Sequence, residues 1–407
     1  MTDLATAKPR IGTRELFPAL ELVAYLNHGA CSPPSEPVRK AVAQVMDDFS
    51  RRGIQAGPEW AERRAGLRLR IAKLIGAPAG SIALMPNTSN GVALVASSLK
   101  WKAGDRILLI ERDFPTNVCP WLEAAKRLEL EPVFLPWADF TQPAGCDLSR
   151  LEGELRRGVR VVVISLTHFS SGLRLPVESI ARMCKAAGAE LFVDAIQGLG
   201  AMPFAVDGID YVACGGHKWL MGPTGTGFLY VSPERLDSLA PVLAGWLSYE
   251  GATDLLRLGE GHLDYHRPLR AGAVRFEGGT LNAPGFAGLD AAIALLEILQ
   301  VQAIHVHVLD YLERLERGLA RLGLEVLVPA NDPRRSCVLC AIVPPDVDAT
   351  SLIPWLHARG VSCSLPDGRL RFCPHWPNSF DEVPYVLDAL DEGLRELRRA
   401  PACRQTA

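Results

Sequence analysis

Lys218 stands in CGGHKWLMGPTGTGFLYV, residues 214–231, between a stretch that reads as a strand and a glycine-rich turn. Glycines in such a turn let the backbone come close to a bound group. By itself a lysine beside glycines is commonly a solvated loop residue. The turn also lacks the Lys-Ser/Thr ending of a P-loop, which argues against a nucleotide. Twenty-four residues earlier, in LFVDAIQGLG, Asp194 ends a predicted strand and Gln197 follows on the next turn.

An aspartate at a strand end, then a glutamine, then His217-Lys218, resembles the pattern of fold-type I pyridoxal-phosphate enzymes, specifically the class V aminotransferase-like proteins. That family includes cysteine desulfurases, kynureninases and isopenicillin epimerases. The resemblance runs from LNHGACSPP near Asn27 to RLRFCPHW near Arg371. It implies an enzyme in which Lys218 holds pyridoxal 5'-phosphate as an imine and later serves as acid or base at the substrate α-carbon. Asp194 would keep the pyridine nitrogen protonated, so that the ring draws electrons from the α-bonds of an amino acid.

The same resemblance implies further roles. Thr88 and Ser89, in MPNTSNGVAL before an apolar helix, would hold the cofactor phosphate with that helix's N-terminus, a use compatible with plain capping. Phe114 in ERDFPTN would stack on the ring, Gln197 would reach the phenolic oxygen, and His217 the phosphate. Ser171 occupies a region where desulfurases carry an asparagine near that oxygen. Gly279 and Thr280 in RFEGGTLN would reach the phosphate of a neighbouring subunit, making the protein a homodimer with a shared active site. Arg371 would grip the substrate α-carboxylate, a task for a bidentate guanidinium, with Arg369 pointing to the same side of the strand. His28 and Gln55 would face the substrate, and Trp246 the site edge.

Two departures bear on the reaction. Desulfurases carry a nucleophilic cysteine on a mobile loop, but here Cys363 precedes Arg371 by only eight residues and reads as part of a strand. Gln55 stands where group II desulfurases keep a substrate-side histidine. Both argue against a persulfide-forming desulfurase. Amino transfer or C–S bond cleavage on an α-amino acid or derived metabolite leads, with isopenicillin-epimerase-like epimerisation as the alternative; hydrolytic side-chain cleavage uses the same groups. A non-catalytic binding protein would be expected to have lost at least one of Lys218, Asp194 and Arg371. A nicotinamide enzyme would need a G-x-G-x-x-G after its first strand, which is lacking.

The elements that must position these residues follow from periodicity. Predicted strands at 107–110, 132–135, 161–166, 191–194, 211–213 and 227–231 alternate with helical stretches such as 177–188, the pattern of an α/β fold with a mostly parallel sheet flanked by helices. After Asn282 a long helix carries Val308, Tyr311, Leu312, Leu315, Leu319 and Leu322 on one face. Strands at 337–343, 361–365 and 369–373 follow, then a helix opening at Ser379 with Glu382 as a capping box. The expected organisation is an N-terminal segment (1–26), a large cofactor domain (27–282) and a smaller C-terminal α/β domain (283–407).

Composition sets the outer bounds. At 407 residues, 48% hydrophobic and 22% charged, the chain can bury a large core, which excludes a disordered or disulfide-stapled protein. A net charge of −3 makes nucleic acid an unsuitable partner. No apolar run reaches the roughly 20 residues that span a bilayer, and the N-terminus lacks a signal-peptide core, so a cytoplasmic enzyme with no membrane partner is expected. Ten scattered cysteines fit reduced, mostly buried thiols, and the CxxC of Cys337 and Cys340 lies in a predicted buried strand, where core packing explains it better than zinc; no metal is expected.

Overall fold

The computed structural model describes residues 8–143 and 145–398. Among them run strands β1 (Ala24–Tyr25), β2 (Ile82–Leu84), β3 (Arg106–Ile110), β4 (Glu131–Leu135), β5 (Val161–Ser165), β6 (Glu190–Asp194), β7 (Tyr211–Gly215) and β8 (Gly227–Val231). Four more lie toward the C-terminus: β9 (Glu325–Val326), β10 (Leu339–Ile342), β11 (Val361–Ser362) and β12 (Arg369–Phe372).

Seven strands form one sheet in the order β2-β8-β7-β6-β5-β3-β4. The run from β4 to β7 is parallel, and β8 is antiparallel to both β7 and β2. Runs such as VVVIS and YVACG are buried throughout, as strands covered by helices on both faces must be. Alternate residues feed two cores: Val162, Ile164, Leu191 and Val193 face one side, while Val161, Val163 and Phe192 face the other. The first of these cores continues without a break into Leu339, Phe372 and Trp376 of the C-terminal strands.

Strand order reverses between β3 and β5, since β4 lies to one side of β3 and β5, β6 and β7 follow on the other. In open parallel sheets ligands bind beyond the carboxyl ends of the strands at such a reversal. Here those ends are in register, with Ser165 opposite Asp194 and Asp194 opposite Ala213.

The predicted strands of this sheet are all present, 227–231 with the predicted bounds and the others with an end shifted by one or two residues. β2 is absent from the sequence reading because its three residues, Ile82–Leu84, are too few for a periodic signal. The helix Val177–Ala187 ends on Gly188 at φ 71°, the expected left-handed cap.

β12, β10 and β9 form a second, antiparallel sheet, and β1 pairs parallel with β11. The N-terminal stretch is therefore joined to the C-terminal strands. The long helix Val301–Arg321 buries Val308, Tyr311, Leu312, Leu315 and Leu319 as predicted, with half-buried Leu322 just past its end. Glu382 accepts from the Ser379 backbone N–H at 3.2 Å, one half of the expected capping box, but the helix itself runs Glu382–Glu396. Cys337 and Cys340 are free, buried core thiols. Among the described residues no single helix is long and apolar enough to cross a membrane.

Candidate active site

Lys218 follows β7 on a loop whose carbonyls are capped from both ends of the chain. The Ser32 N–H donates to the His217 carbonyl at 2.7 Å, and the Ser32 hydroxyl donates to the Lys218 carbonyl at 2.6 Å. The His375 Nε2–H donates to the Trp219 carbonyl at 2.9 Å. The glycines of this segment serve the protein rather than a ligand. A Cβ on Gly227 would sit 2.5 Å from the Cys214 carbonyl oxygen, and one on Gly216 would sit 2.4 Å from the Thr226 hydroxyl. Neither lines the cavity into which Lys218 points, so the expectation that they approach a bound group is corrected.

That cavity has a volume of about 630 Å³ and opens at the carboxyl ends of the parallel strands. Thr88, Ser89, Phe114, Asp194, Gln197, His217, Lys218 and Arg371, all singled out in the sequence, line it together. Burial lowers the Lys218 amine below its usual value, with Arg371 adding to the effect and Asp194 opposing it. A larger share of the amine is therefore neutral, as a nucleophile or base requires. Its Nζ lies 5.5 Å from the centre of the Phe114 ring, which meets Phe169 edge-on at 5.2 Å.

Asp194 is fully buried at the end of β6. One carboxylate oxygen accepts from the Ile196 N–H at 2.9 Å, and the other receives no hydrogen bond from the described residues. Burial pushes this carboxyl up to about 7, Asp113 adding to the rise and Lys218 opposing it. A buried carboxyl with one open oxygen facing a cavity suits a cationic N–H from a ligand.

At the other end, helix Thr88–Ser98 starts at the cavity wall, capped by Asn87, whose side chain accepts from the Asn90 N–H at 2.9 Å. The Thr88 hydroxyl accepts from the Gly215 N–H at 2.9 Å, and the Ser89 hydroxyl lies 2.9 Å from that of Thr116. Burial first and Lys218 second lower His217, leaving its ring neutral. A helix N-terminus with two hydroxyls and an imidazole suits a phosphate. Together with the open oxygen of Asp194 and the part-neutral Lys218, this donor set fits pyridoxal phosphate.

Arg371, on β12, is held by two of its five donors: Nε to the Ser364 hydroxyl and Nη1 to the Phe169 carbonyl, each at 3.0 Å. The remaining donors are available to a carboxylate. Gln197 is more committed than its sequence role implies, because its amide ties Gly29 (Nε2 to the carbonyl, 2.8 Å) to Trp219 (indole N–H to Oε1, 2.9 Å). One amide N–H remains.

Other expectations are corrected. His28 does not line the cavity; it is buried behind it, edge-on to Tyr25 and His375, with Nδ1 2.7 Å from the Ser32 hydroxyl. Gly29 and Ala30 take the place at the wall. Gln55 is exposed on a short 3-10 turn and Trp246 is exposed, and neither lines the cavity. Gly279 and Thr280, expected to reach a neighbouring subunit, lie outside the cavity of their own chain. Ser171 is bonded to His168 at 3.0 Å and lines a neighbouring cavity instead. Phe169, Thr116 and Pro366 are wall residues the sequence reading missed; loop residues without periodicity carry no signal of direction.

Comparison with known proteins agrees with this geometry. The family model for class-V aminotransferases matches residues 24–365. A probable cysteine desulfurase of Pyrococcus abyssi is 29% identical over 405 residues, covering 95% of this chain and 98% of that protein. The cystine C–S lyase C-DES, solved with its reaction product cysteine persulfide, superposes with a TM-score of 0.84 at 25% identity over 93% of this chain and 99% of that one. A variant of C-DES with glycine covalently linked to its pyridoxal-phosphate cofactor gives a TM-score of 0.85 at 24% identity, with the same coverage. A parallel sheet with its ligand groups at the strand ends, and a family match across most of its length, place this chain in the class-V aminotransferase family of pyridoxal-phosphate-dependent, fold-type I enzymes.

Proposed function

We propose that this enzyme cleaves a carbon–sulfur bond in a free α-amino acid by elimination, with sulfur leaving in the product and not passing to a protein cysteine. The observation that carries this choice is that none of the nine described cysteines lines the active cavity. Cys363 is buried, and burial pushes its thiol up to about 12, so it is neither reachable nor ionised. Cys31, beside the wall residue Ala30, is exposed but does not line the cavity, and partial burial raises its thiol while Lys218 opposes the rise. The likeness to a C–S lyase supports the same chemistry.

Bound pyridoxal phosphate supplies an electron-accepting ring that weakens the bonds at the amino-acid α-carbon. Asp194 holds the proton of the ring nitrogen through its open oxygen. Thr88, Ser89, His217 and the adjacent helix N-terminus bind the phosphate, and Phe114 sets the plane of the ring. Arg371 binds the α-carboxylate, oriented by Ser364 and the Phe169 carbonyl. The Lys218 amine would hold the cofactor until the substrate's own amine displaces it; the freed amine would then take the proton from the α-carbon, and the electron pair left there would expel the thiolate from the β-carbon. Phe114, Phe169 and Pro366 supply apolar wall to that cavity.

Incubating the holoenzyme with cystine or cysteine, with no 2-oxo acid added, should yield pyruvate, ammonia and a sulfur product, and Lys218→Ala should abolish it. Product that appears only with an added 2-oxo acid would make the reaction amino transfer. Exchange of the α-hydrogen in deuterated water without other products would make it epimerisation.

The assembly proposed is a homodimer in which Gly279 and Thr280 reach the partner's cavity. Large apolar side chains exposed at Ile54, Leu243, Trp246, Leu256, Leu263 and Tyr265 support it, since a monomer rarely leaves so many uncovered. Residues 27–282 and 283–407 are read as its cofactor-binding and smaller domains. Free thiols at all nine described cysteines suit the reducing cytoplasm, where the enzyme is placed.

A further inference from the structure

Phe114 lines the active cavity, yet packing alone does not fix its ring, which is 39% exposed and meets Phe169 edge-on. A loop side chain so open takes its direction from its backbone. Both peptide groups of Phe114 are tied. Its N–H donates to the Asp113 carboxylate at 2.7 Å, and its carbonyl accepts from the Asn117 N–H at 2.8 Å.

The Asp113 carboxylate is itself clamped. The oxygen that accepts from Phe114 also accepts from the Ser165 hydroxyl at 2.7 Å, and the other oxygen accepts from the Asn117 side-chain amide at 2.9 Å. Ser165 and Asn117 are both buried, so these bonds are sheltered from water, and each is strengthened by the charge on its acceptor. Asp113, Phe114 and Asn117 from the turn after β3 thus form one unit with the last residue of β5.

That unit spans the reversal of strand order. Ser165 ends β5 in register with Asp194 at the end of β6, so Asp113 brings a second carboxylate to the place where Asp194 presents its open oxygen. Three groups bear on Asp194 from the elements around it. Lys218 on the loop after β7 is cationic when protonated, the Cys214 thiol on β7 is kept neutral by burial, and Asp113 adds negative charge. Asp113 raises the affinity of Asp194 for a proton, second to burial among the causes that do so, while Lys218 opposes it. A cation placed against Asp194 gains from the same field.

We propose that Asp113 is a positioning residue for the cofactor: it holds Phe114 at the ring face, and its negative charge joins that of Asp194 in retaining a cationic ring nitrogen. The proposal rests on Phe114 and Asp194 flanking the ring.

Two substitutions separate the two roles. Asp113→Asn removes the charge but keeps an acceptor for the Phe114 N–H and Ser165, and Asn117, whose amide oxygen has no partner, can turn that oxygen to the new amide. In the cofactor-free protein this variant should lower the midpoint of the Asp194 titration, followed by carbon-13 NMR of its carboxyl, by about half a pH unit, a threefold loss of proton affinity. Asp113→Ala removes the acceptor as well. In absorbance titrations of the cofactor-free protein it should bind pyridoxal phosphate about tenfold more weakly than Asp113→Asn does. In a Phe114→Ala background the two should bind within about twofold of each other, because the group they position differently is gone.

An Asp194 midpoint unmoved by Asp113→Asn would overturn the proposal. So would a difference between Asp113→Ala and Asp113→Asn that is missing from the natural background or survives the loss of Phe114. Should Asp113→Ala fail to fold, Ser165→Ala replaces it, since it cuts one clamp and leaves the charge; it should weaken binding about threefold relative to the natural protein, and not at all once Phe114 is alanine. Phe114→Ala and Asp194→Asn test the reading beneath. If neither weakens cofactor binding, these residues do not flank the ring, and the proposal falls with that reading.

Discussion

The hydroxyl of Ser32 donates to the backbone carbonyl of Lys218 at 2.6 Å, across 186 residues of chain. Because its one proton is spent there, the Ser32 oxygen must accept from His28, whose Nδ1 lies 2.7 Å away. His28 is thus a positioning residue acting through Ser32, which explains its burial away from the cavity. Ser32→Ala should lower stability by about 1–2 kcal/mol, the cost of a lost buried hydrogen bond. It should lower kcat about tenfold while KM stays within about twofold, since the lysine loses orientation and the carboxylate grip does not. Denaturant titration and steady-state kinetics read the two effects separately.

Asp194 makes the cofactor-free protein pH-sensitive. Its folded pKa of about 7 lies above the ordinary 3.8, so the folded chain binds more protons than the unfolded one between those values. Stability of the cofactor-free form should therefore fall as pH rises from about 4 to about 7 and level off above. Asp194→Asn should remove that part of the slope. Added pyridoxal phosphate should restore the Tm of the natural protein near pH 7 more than that of the variant, as thermal scans across pH would register.

Arg371→Ala should raise KM far more than it lowers kcat, with a loss in kcat/KM worth about 2–4 kcal/mol for a truncated buried charge pair. Arg371→Lys should recover only part of it, because an ammonium cannot make the two-pronged contact. An unchanged kcat/KM for every amino acid turned over would remove Arg371 from the site.

Cys363→Ala should leave turnover within about twofold and cost about 1 kcal/mol of stability, the price of a small group removed from the core. Trapping with a thiol alkylator during turnover should find no sulfur added to Cys363. Loss of activity in this variant would restore the protein-persulfide route.

The local patterns determined a good deal. Buried β-branched runs and glycine-ended helices announced the parallel strands, and a parallel sheet puts its ligand groups at the strands' carboxyl ends. Asp194, Thr88 and Lys218 sit at or just beyond such ends, so their shared cavity was legible from residue type and spacing. What tertiary structure alone decided lies in loops and in contacts between distant segments. His28 was read toward the substrate and Ser171 near the cofactor's phenolic oxygen, but a loop side chain has no periodicity to reveal its direction. Only the approach of another segment sets it, as His375 does for His28 and His168 for Ser171. β1 is too short to announce itself and exists because β11, more than 300 residues away, supplies its hydrogen bonds. Arg371 was identifiable as a guanidinium on a strand. That it is aimed by the Phe169 carbonyl follows from which distant segment the fold brings against β12.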